Sequence, residues 1–158
     1  MARTEQERWD TALHEAAHAV AYLVGGIGVL RVTIRGWGNQ HMQINGKVVR
    51  ARVCPEQAPE YIVALLAGSL GPMLGGLELD HPDADGGWSD RDKAYDIITW
   101  TNLGMSQQDR VNLMFTYYHQ AAELLAKHRA WVLRVALALM ANTTLSGKDV
   151  VALRPADI

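Results

Sequence analysis

The segment from His14 to His18 reads HEAAH, and it most constrains what this chain can fold into. It lies in a run from Trp9 to Val24 whose alanines, leucines and valines predict a helix. Side chains four residues apart share one helix face, with Cβ atoms about 5–6 Å apart. The imidazoles of His14 and His18 are therefore expected to bind one zinc ion, since zinc–nitrogen bonds are about 2.0–2.1 Å long. Glu15 is turned about 100° round the helix. Its carboxylate flanks the ion, as the general base of a zinc hydrolase does.

Length and composition indicate one globular domain spanning residues 1–158. Of the 158 residues, 49% are hydrophobic and 20% are charged, which is ordinary for a protein that buries a core. A net charge of −2 gives no reason to expect nucleic acid or an anionic membrane as a partner. The single cysteine, Cys54, excludes an internal disulfide and fits a reducing compartment. Since Met1–Glu7 has no apolar signal core and no membrane segment is evident, we expect a cytoplasmic protein.

A small antiparallel sheet of about three strands is predicted after the first helix. Val29 to Arg35 alternates apolar and polar residues, which is the periodicity of a strand. Asn45-Gly46, a strong hairpin signal, separates the strand-like segments His41–Ile44 and Lys47–Val53.

The remaining segments carry helical periodicity, and capping residues, glycines and prolines indicate where each helix begins and ends. Helices are predicted from Thr4 or Glu5 to Gly25, over Pro55–Leu77 with Pro59 as the alternative start, from a cap at Ser89 to about Asn102 before Gly104, over Gln107–Ala141 with a break near Lys127–Arg129, and after Ser146. Together these elements predict a mainly α fold with a small antiparallel β-sheet, which is an α+β class.

A catalytic zinc site needs three protein ligands, so a third must join the two histidines. The metzincin motif continues with a glycine and a third histidine where this chain has Ala21 and Val24. The third ligand is therefore expected from a remote segment. The candidates are Glu78, Asp80, His81, Asp83, Asp85, Asp90, Asp92 and Asp96.

Asp90 has a physical advantage among these candidates. It is expected near the start of a helix, where the helix dipole favours an ionised carboxylate. It also shares a helix face with Ala94 and Ile97, so that side is expected to point inward. Asp92 and Asp96 fall on a different face and are expected to be exposed to solvent.

The other histidines have no partner at ligand spacing. These are His41, His81, His119 and His128. We expect them to be surface or strand histidines without a role in a site.

Six further segments, spread along nearly the whole chain, carry sequence patterns that can be compared with known families. In order, they are Leu30–Ile34, Leu65–Gly68, Ser89-Asp90 with Ala94, Leu103–Ser106, Leu124–Arg129 and Thr144–Val150. With His14–Val20, they resemble the peptidase domain of the FtsH family of membrane-anchored AAA zinc metalloproteases, over about residues 7–153. The resemblance implies a zincin-type HExxH helix within the helical bundle of that peptidase domain.

By this resemblance His14, His18 and Asp90 are the zinc ligands, and Glu15 is the catalytic base. Ser89 stands where the family has an asparagine before its ligand. The resemblance further implies that the strand Val29–Arg35 borders the cleft, where an extended peptide would add to its edge. An ordinary half-buried strand is the alternative.

The chain departs from the family in several places. An ATPase module and a transmembrane segment precede this domain in the family and are not found here, so unfolded polypeptides, or chains supplied by a separate ATPase, are the expected substrates. The family's charged Gly-Gly-Arg-Ala-Ala-Glu stretch is Ala67–Pro72 here, and Gln107 enters the next helix without the family's long loop. A homo-oligomer is compatible with the resemblance.

These features predict a zinc-dependent metalloendopeptidase that acts through Glu15. Two alternatives stay open: a catalytically silent zinc-bearing module that binds or regulates, and a zinc hydrolase of non-protein amides. A site closed by a fourth protein ligand would favour the first alternative, and activity on small amides alone would favour the second.

Overall fold

The computed structural model describes residues 3–36, 46–75 and 87–156. Within these residues the helices are α1 (Glu5–Val24), α2 (Ala58–Leu70), α3 (Gly87–Thr101), α4 (Gln107–Lys127), α5 (Arg129–Asn142) and α6 (Gly147–Ala152). The strands are β1 (Val29–Thr33), β2 (Lys47–Arg50) and β3 (Thr144–Ser146). Short 3-10 helices, Pro55–Gln57 and Gly71–Gly75, flank α2. The predicted α+β class, mainly helical with a small antiparallel sheet, is confirmed.

Helix α1 forms the centre of the core. It begins where predicted, at a capping box: the Thr4 hydroxyl accepts a hydrogen bond from Glu7 N at 3.1 Å, and Thr4 N donates to the Glu7 carboxylate at 2.8 Å. Every residue from Thr11 to Tyr22 is buried, because α2 and α5 pack against this helix. The HEAAH segment therefore lies inside the protein and not on a surface helix.

The sheet has the order β2–β1–β3, and both pairings are antiparallel. The predicted strand Val29–Arg35 is confirmed as β1, although it ends at Thr33. The predicted strand Lys47–Val53 is confirmed as β2, although it ends at Arg50.

The third strand of this sheet was not predicted. Thr144–Ser146 pairs with β1 directly before α6 begins, and a strand of three residues is too short to show alternation in a sequence. The predicted strand His41–Ile44 and the first residue of the predicted hairpin turn, Asn45, lie outside the described residues.

The structure corrects two predicted helix bounds. Only part of Pro55–Leu77 is α-helical: α2 ends at Leu70 and a 3-10 helix begins at Gly71. The next residue, Pro72, has no N–H to donate to a carbonyl of the preceding turn. Helix α3 begins at Gly87, so Ser89 lies in its first turn and not before it. Serine is common at both places, so the sequence did not distinguish them.

The turn after α3 and the break in the long helical stretch lie where they were expected. Gly104 has a φ of +92°, which glycine adopts readily, and it separates α3 from α4. His128 separates α4 from α5, within the predicted interval. Among the described residues, no helix has the length and apolarity that crossing a bilayer requires.

His128 is buried at the junction between α4 and α5, so its predicted surface or strand position is wrong. Its backbone N–H donates to Leu124 O at 3.0 Å, and the centre of its ring lies 6.1 Å from the centre of the Trp131 ring. Its ring nitrogen Nδ1 has no partner among the described residues. Burial lowers the pKa of His128, and the positive charges of Lys127 and Arg154 lower it further. His119 is exposed, as expected, whereas His41 and His81 lie outside the described residues.

We expect His128 to weaken the fold in acid. Folding lowers the pKa of His128, so the folded protein binds fewer protons at this residue than the unfolded chain does. The free energy of unfolding therefore falls as the pH drops below about 6.5, the ordinary pKa of a histidine. The His128→Gln variant should therefore lose less of its melting temperature (Tm) than the wild type between about pH 7.5 and 5.5. The exposed His119→Gln variant is the control, and a His128→Gln slope equal to that of the wild type would contradict this prediction.

Candidate metal centre

Three predicted ligand side chains converge in the structure. His18 Nε2 lies 3.0 Å from both His14 Nε2 and Asp90 Oδ2, and His14 Nε2 lies 3.4 Å from Asp90 Oδ2. One ligand atom from each residue lies within 4.8 Å of the others, although Asp90 is 72 residues from His18 in sequence. Both histidines are buried and Asp90 is partly buried.

Helix α2 fixes the orientation of His18. The carbonyl oxygen of Ala64 lies 2.8 Å from His18 Nδ1, and because a carbonyl only accepts, Nδ1 carries the hydrogen. Nε2 is then the nitrogen that faces His14 and Asp90 and that would bind a metal, as in metal sites whose histidine donates its other nitrogen to a backbone carbonyl. A Cβ on Gly68 would lie 2.2 Å from His18 Nε2, so the absence of a side chain there makes room for the imidazole.

Charge is concentrated where these three side chains meet. Burial works to lower the pKa of His18, but the hydrogen bond to Asp90 and the charges of Asp90 and Glu15 outweigh it and raise that pKa to about 9. Burial works to raise the pKa of Asp90, but the hydrogen bonds with His14 and His18 hold it well below its usual range. The carboxylate therefore stays ionised, which is the form that binds a cation.

The three side chains fit a zinc ion. Two imidazole nitrogens and one carboxylate oxygen form a donor set that zinc takes, and metal-binding requires the ionised carboxylate that the site already favours. Within the described ranges, this is the one such group of histidine, cysteine and acidic side chains.

Glu15 lies beside the three ligand candidates and is not one of them. Its side chain is buried, and burial raises its pKa, although the positive charges of His14 and His18 partly oppose this. Gly46, the residue before β2, covers it so closely that a Cβ on Gly46 would lie 2.8 Å from Glu15 Cγ. A buried carboxyl with a raised pKa next to a cation site is suited to holding a proton that it has taken from water.

Two of the other candidates for the third ligand lie among the described residues, and neither joins this group. Asp92 and Asp96 are exposed on α3, as their helix face predicted. The candidates Glu78, Asp80, His81, Asp83 and Asp85 lie outside the described residues.

The expectation that a peptide adds to the edge of the Val29–Arg35 strand is wrong. Strand β1 pairs with β2 on one side and with β3 on the other, so its backbone hydrogen bonds are taken. A peptide that binds near this strand has to contact its side chains instead.

Sequence reasoning missed several residues that support the site. Tyr22 follows His18 by four residues on the same helix face, and its buried ring lies 6.3 Å from the His18 ring at an angle of 22°. The spacing of His14, His18 and Tyr22 was a signal that could have found it. Gly46, Gly68 and the Ala64 carbonyl gave no such signal, since their roles depend on packing between distant elements.

Comparisons with known proteins leave the family open. No protein-family model matches this chain, and no curated protein is similar to it. The relation to the FtsH family stays a prediction from the resembling segments.

Proposed function

We propose that this chain is a zinc-dependent metalloendopeptidase with the fold of the FtsH-family peptidase domain. His14, His18 and Asp90 would hold the ion, and Glu15 would act as the general base. The convergence of the three ligand atoms beside the buried Glu15 carboxyl carries this proposal.

The number of ligands supports a catalytic site over a structural one. Catalytic zinc sites use three protein ligands and keep a position for water, whereas structural sites use four. Only three candidate ligands converge within the part of the chain that the structure describes. When bound, zinc acts as a Lewis acid that lowers the pKa of water and polarises a carbonyl group.

The protein's own residues would orient the site and move the proton. The Ala64 carbonyl holds the tautomer of His18, and Asp90 supplies a charged ligand that offsets part of the charge of the cation. A carboxylate oxygen of Glu15 would take a proton from the attacking water and then donate it to the nitrogen of the leaving amine. Burial raises the pKa of Glu15 and so favours the form that carries this proton between the two steps.

Removing the metal is expected to abolish proteolysis reversibly. Protein loaded with one equivalent of zinc should cleave casein, protein treated with a chelator should not, and added zinc should restore cleavage, because the candidate ligands are held on two helices, α1 and α3. Release of peptides with time measures the activity, and metal analysis of the same samples measures the zinc content.

Different outcomes separate the proposed function from its alternatives. Zinc binding without cleavage of casein or of unfolded peptides would contradict the peptidase and favour a binding module. Cleavage of small amides without cleavage of peptides would also contradict it and favour a hydrolase of non-protein amides. Equal activity in the zinc-loaded and the chelator-treated samples would exclude a metal-dependent reaction.

A further inference from the structure

Two exposed arginines, Arg31 within β1 and Arg35 two residues after its end, line one cleft. Residues alternate along a strand, so Arg31 and Thr33 lie on one side of β1. Val32 and Ile34 lie on the other side and are fully buried. Both arginines are exposed, whereas Thr33 is covered by its neighbours.

A cleft of about 380 Å³ lies on the arginine side of the strand. It is lined by Arg31, Thr33, Arg35, Gly36 and Thr144. The hydroxyls of Thr33 and Thr144 share a hydrogen bond of 2.8 Å, which joins β1 to β3 at the floor of the cleft. Neither guanidinium group pairs with an acidic side chain among the described residues.

The charge on this side of the sheet is of one sign. Lys47 lies opposite Thr33 in the register of β1 and β2, and its side chain is also exposed. None of the three strands contains an aspartate or a glutamate. Since the chain as a whole has a net charge of −2, this positive charge is a local feature. Guanidinium groups bind carboxylates through paired hydrogen bonds, so the cleft matches an acidic ligand.

The cleft is adjacent to the candidate catalytic base. A Cβ on Gly46 would lie 2.8 Å from Glu15 Cγ and 2.9 Å from the carbonyl oxygen of Thr33. Thr33 therefore borders Glu15 through its backbone and lines the cleft through its side chain. A polypeptide bound at Glu15 has this cleft within reach of its neighbouring residues.

We propose that the cleft recognises acidic side chains of the polypeptide substrate next to the bond that is cleaved. Arg31 and Arg35 line the same cleft and are four residues apart in sequence, a span of at most about 13 Å, so an extended segment with carboxylates four residues apart would reach both of them. Because both edges of β1 are occupied, this recognition uses side chains and not backbone pairing. The inference rests on the proposed peptidase function, but binding of the acidic segment can be measured without cleavage.

The test is binding of a fluorescein-labelled peptide with two glutamates four residues apart in a serine and glycine background, measured by fluorescence anisotropy. Replacing both arginines, Arg31→Gln with Arg35→Gln, is expected to weaken binding about tenfold, because two charge-assisted contacts are lost. The dissociation constant of the wild type should rise with salt, and that of the double variant should change little. Arg134→Gln, at an exposed arginine of α5, is the matched control and should bind like the wild type.

Charge reversal distinguishes a variant that has lost recognition of acidic peptides from one that has misfolded. Arg31→Glu with Arg35→Glu should prefer a peptide with lysines in place of the two glutamates, which an unfolded chain would not do. Equal binding of the glutamate peptide and its glutamine counterpart by the wild type would overturn the proposal. Unchanged binding by the double glutamine variant would overturn it too.

Cleavage assays distinguish failure of this inference from failure of the proposed function. If the acidic peptide is cleaved, the double glutamine variant should raise its KM about tenfold and leave kcat unchanged, since the arginines do not contact the reacting atoms. Binding through the arginines without any cleavage would support the acidic cleft and contradict the peptidase. Cleavage with no preference for acidic peptides would contradict the cleft and support the peptidase.

Discussion

Replacing Glu15 by glutamine is expected to reduce peptide cleavage by about 10²–10⁴-fold while leaving zinc bound. Glutamine has nearly the same shape as glutamate but cannot accept the proton of the attacking water. Glu15 is not among the three converging ligand atoms, so the affinity for zinc should stay close to that of the wild type. Because burial raises the pKa of Glu15, its ionised form is disfavoured inside the protein, and a neutral side chain there should not lower the Tm. Casein digestion, metal analysis and thermal unfolding measure the three quantities.

Asp90→Ala is the complementary variant, since it removes a ligand and keeps the base. At zinc concentrations that saturate Glu15→Gln, the Asp90→Ala variant should remain largely without zinc. Excess zinc should restore part of its activity. Zinc bound to Asp90→Ala with wild-type affinity would contradict the assignment of the third ligand. Cleavage by Glu15→Gln at the wild-type rate would contradict the assignment of the base.

Gly68→Ala is expected to damage the candidate metal centre, although Gly68 is fifty residues from His18 in sequence. The added Cβ would lie 2.2 Å from His18 Nε2, so either the imidazole or helix α2 has to move. Displacing α2 would also break the hydrogen bond between Ala64 O and His18 Nδ1. We expect zinc affinity to fall by about 100-fold, and the free energy of unfolding to fall by about 1–3 kcal/mol from overpacking.

Gly28→Ala is the matched control for this substitution. Its Cβ would lie 3.4 Å from the Cβ of Ala51, which is an ordinary contact, and Gly28 is exposed outside the metal centre. It should bind zinc like the wild type. Titration of the metal-free variants with zinc, together with denaturant unfolding, checks both effects; tight zinc binding by Gly68→Ala would show that the site does not need this close packing.

Local patterns predicted the residues of the candidate site better than the packing around them. His14, Glu15 and His18 belong to one helix, and helical spacing alone places the two imidazoles on one face. Asp90 was favoured by its place near a helix start, and the structure brings its carboxylate to 3.0 Å from His18 Nε2. The break at His128 was expected because the periodic stretch Gln107–Ala141 is long for a single helix of a globular protein.

Contacts between segments far apart in sequence could not be predicted in the same way. The strand Thr144–Ser146 has no periodicity of its own and exists because β1 offers it an edge. The expected peptide-binding edge of β1 was wrong for the same reason, since that edge is taken by β3. Gly46 and Gly68 matter through the atoms that other elements place against them, which a sequence does not display.

The pairing of β1 with β3 has a consequence for how the protein is made. Thr33 and Thr144, which hydrogen-bond across these strands, are 111 residues apart, and Gly147 packs so closely on β1 that a Cβ there would lie 1.7 Å from Val29 O. During synthesis, Glu15 and both histidines leave the ribosome long before Thr144–Ser146 does, so β1 cannot gain its second partner until β3 has been made. A nascent chain that has not yet reached β3 therefore carries the candidate catalytic residues without the completed sheet beside them.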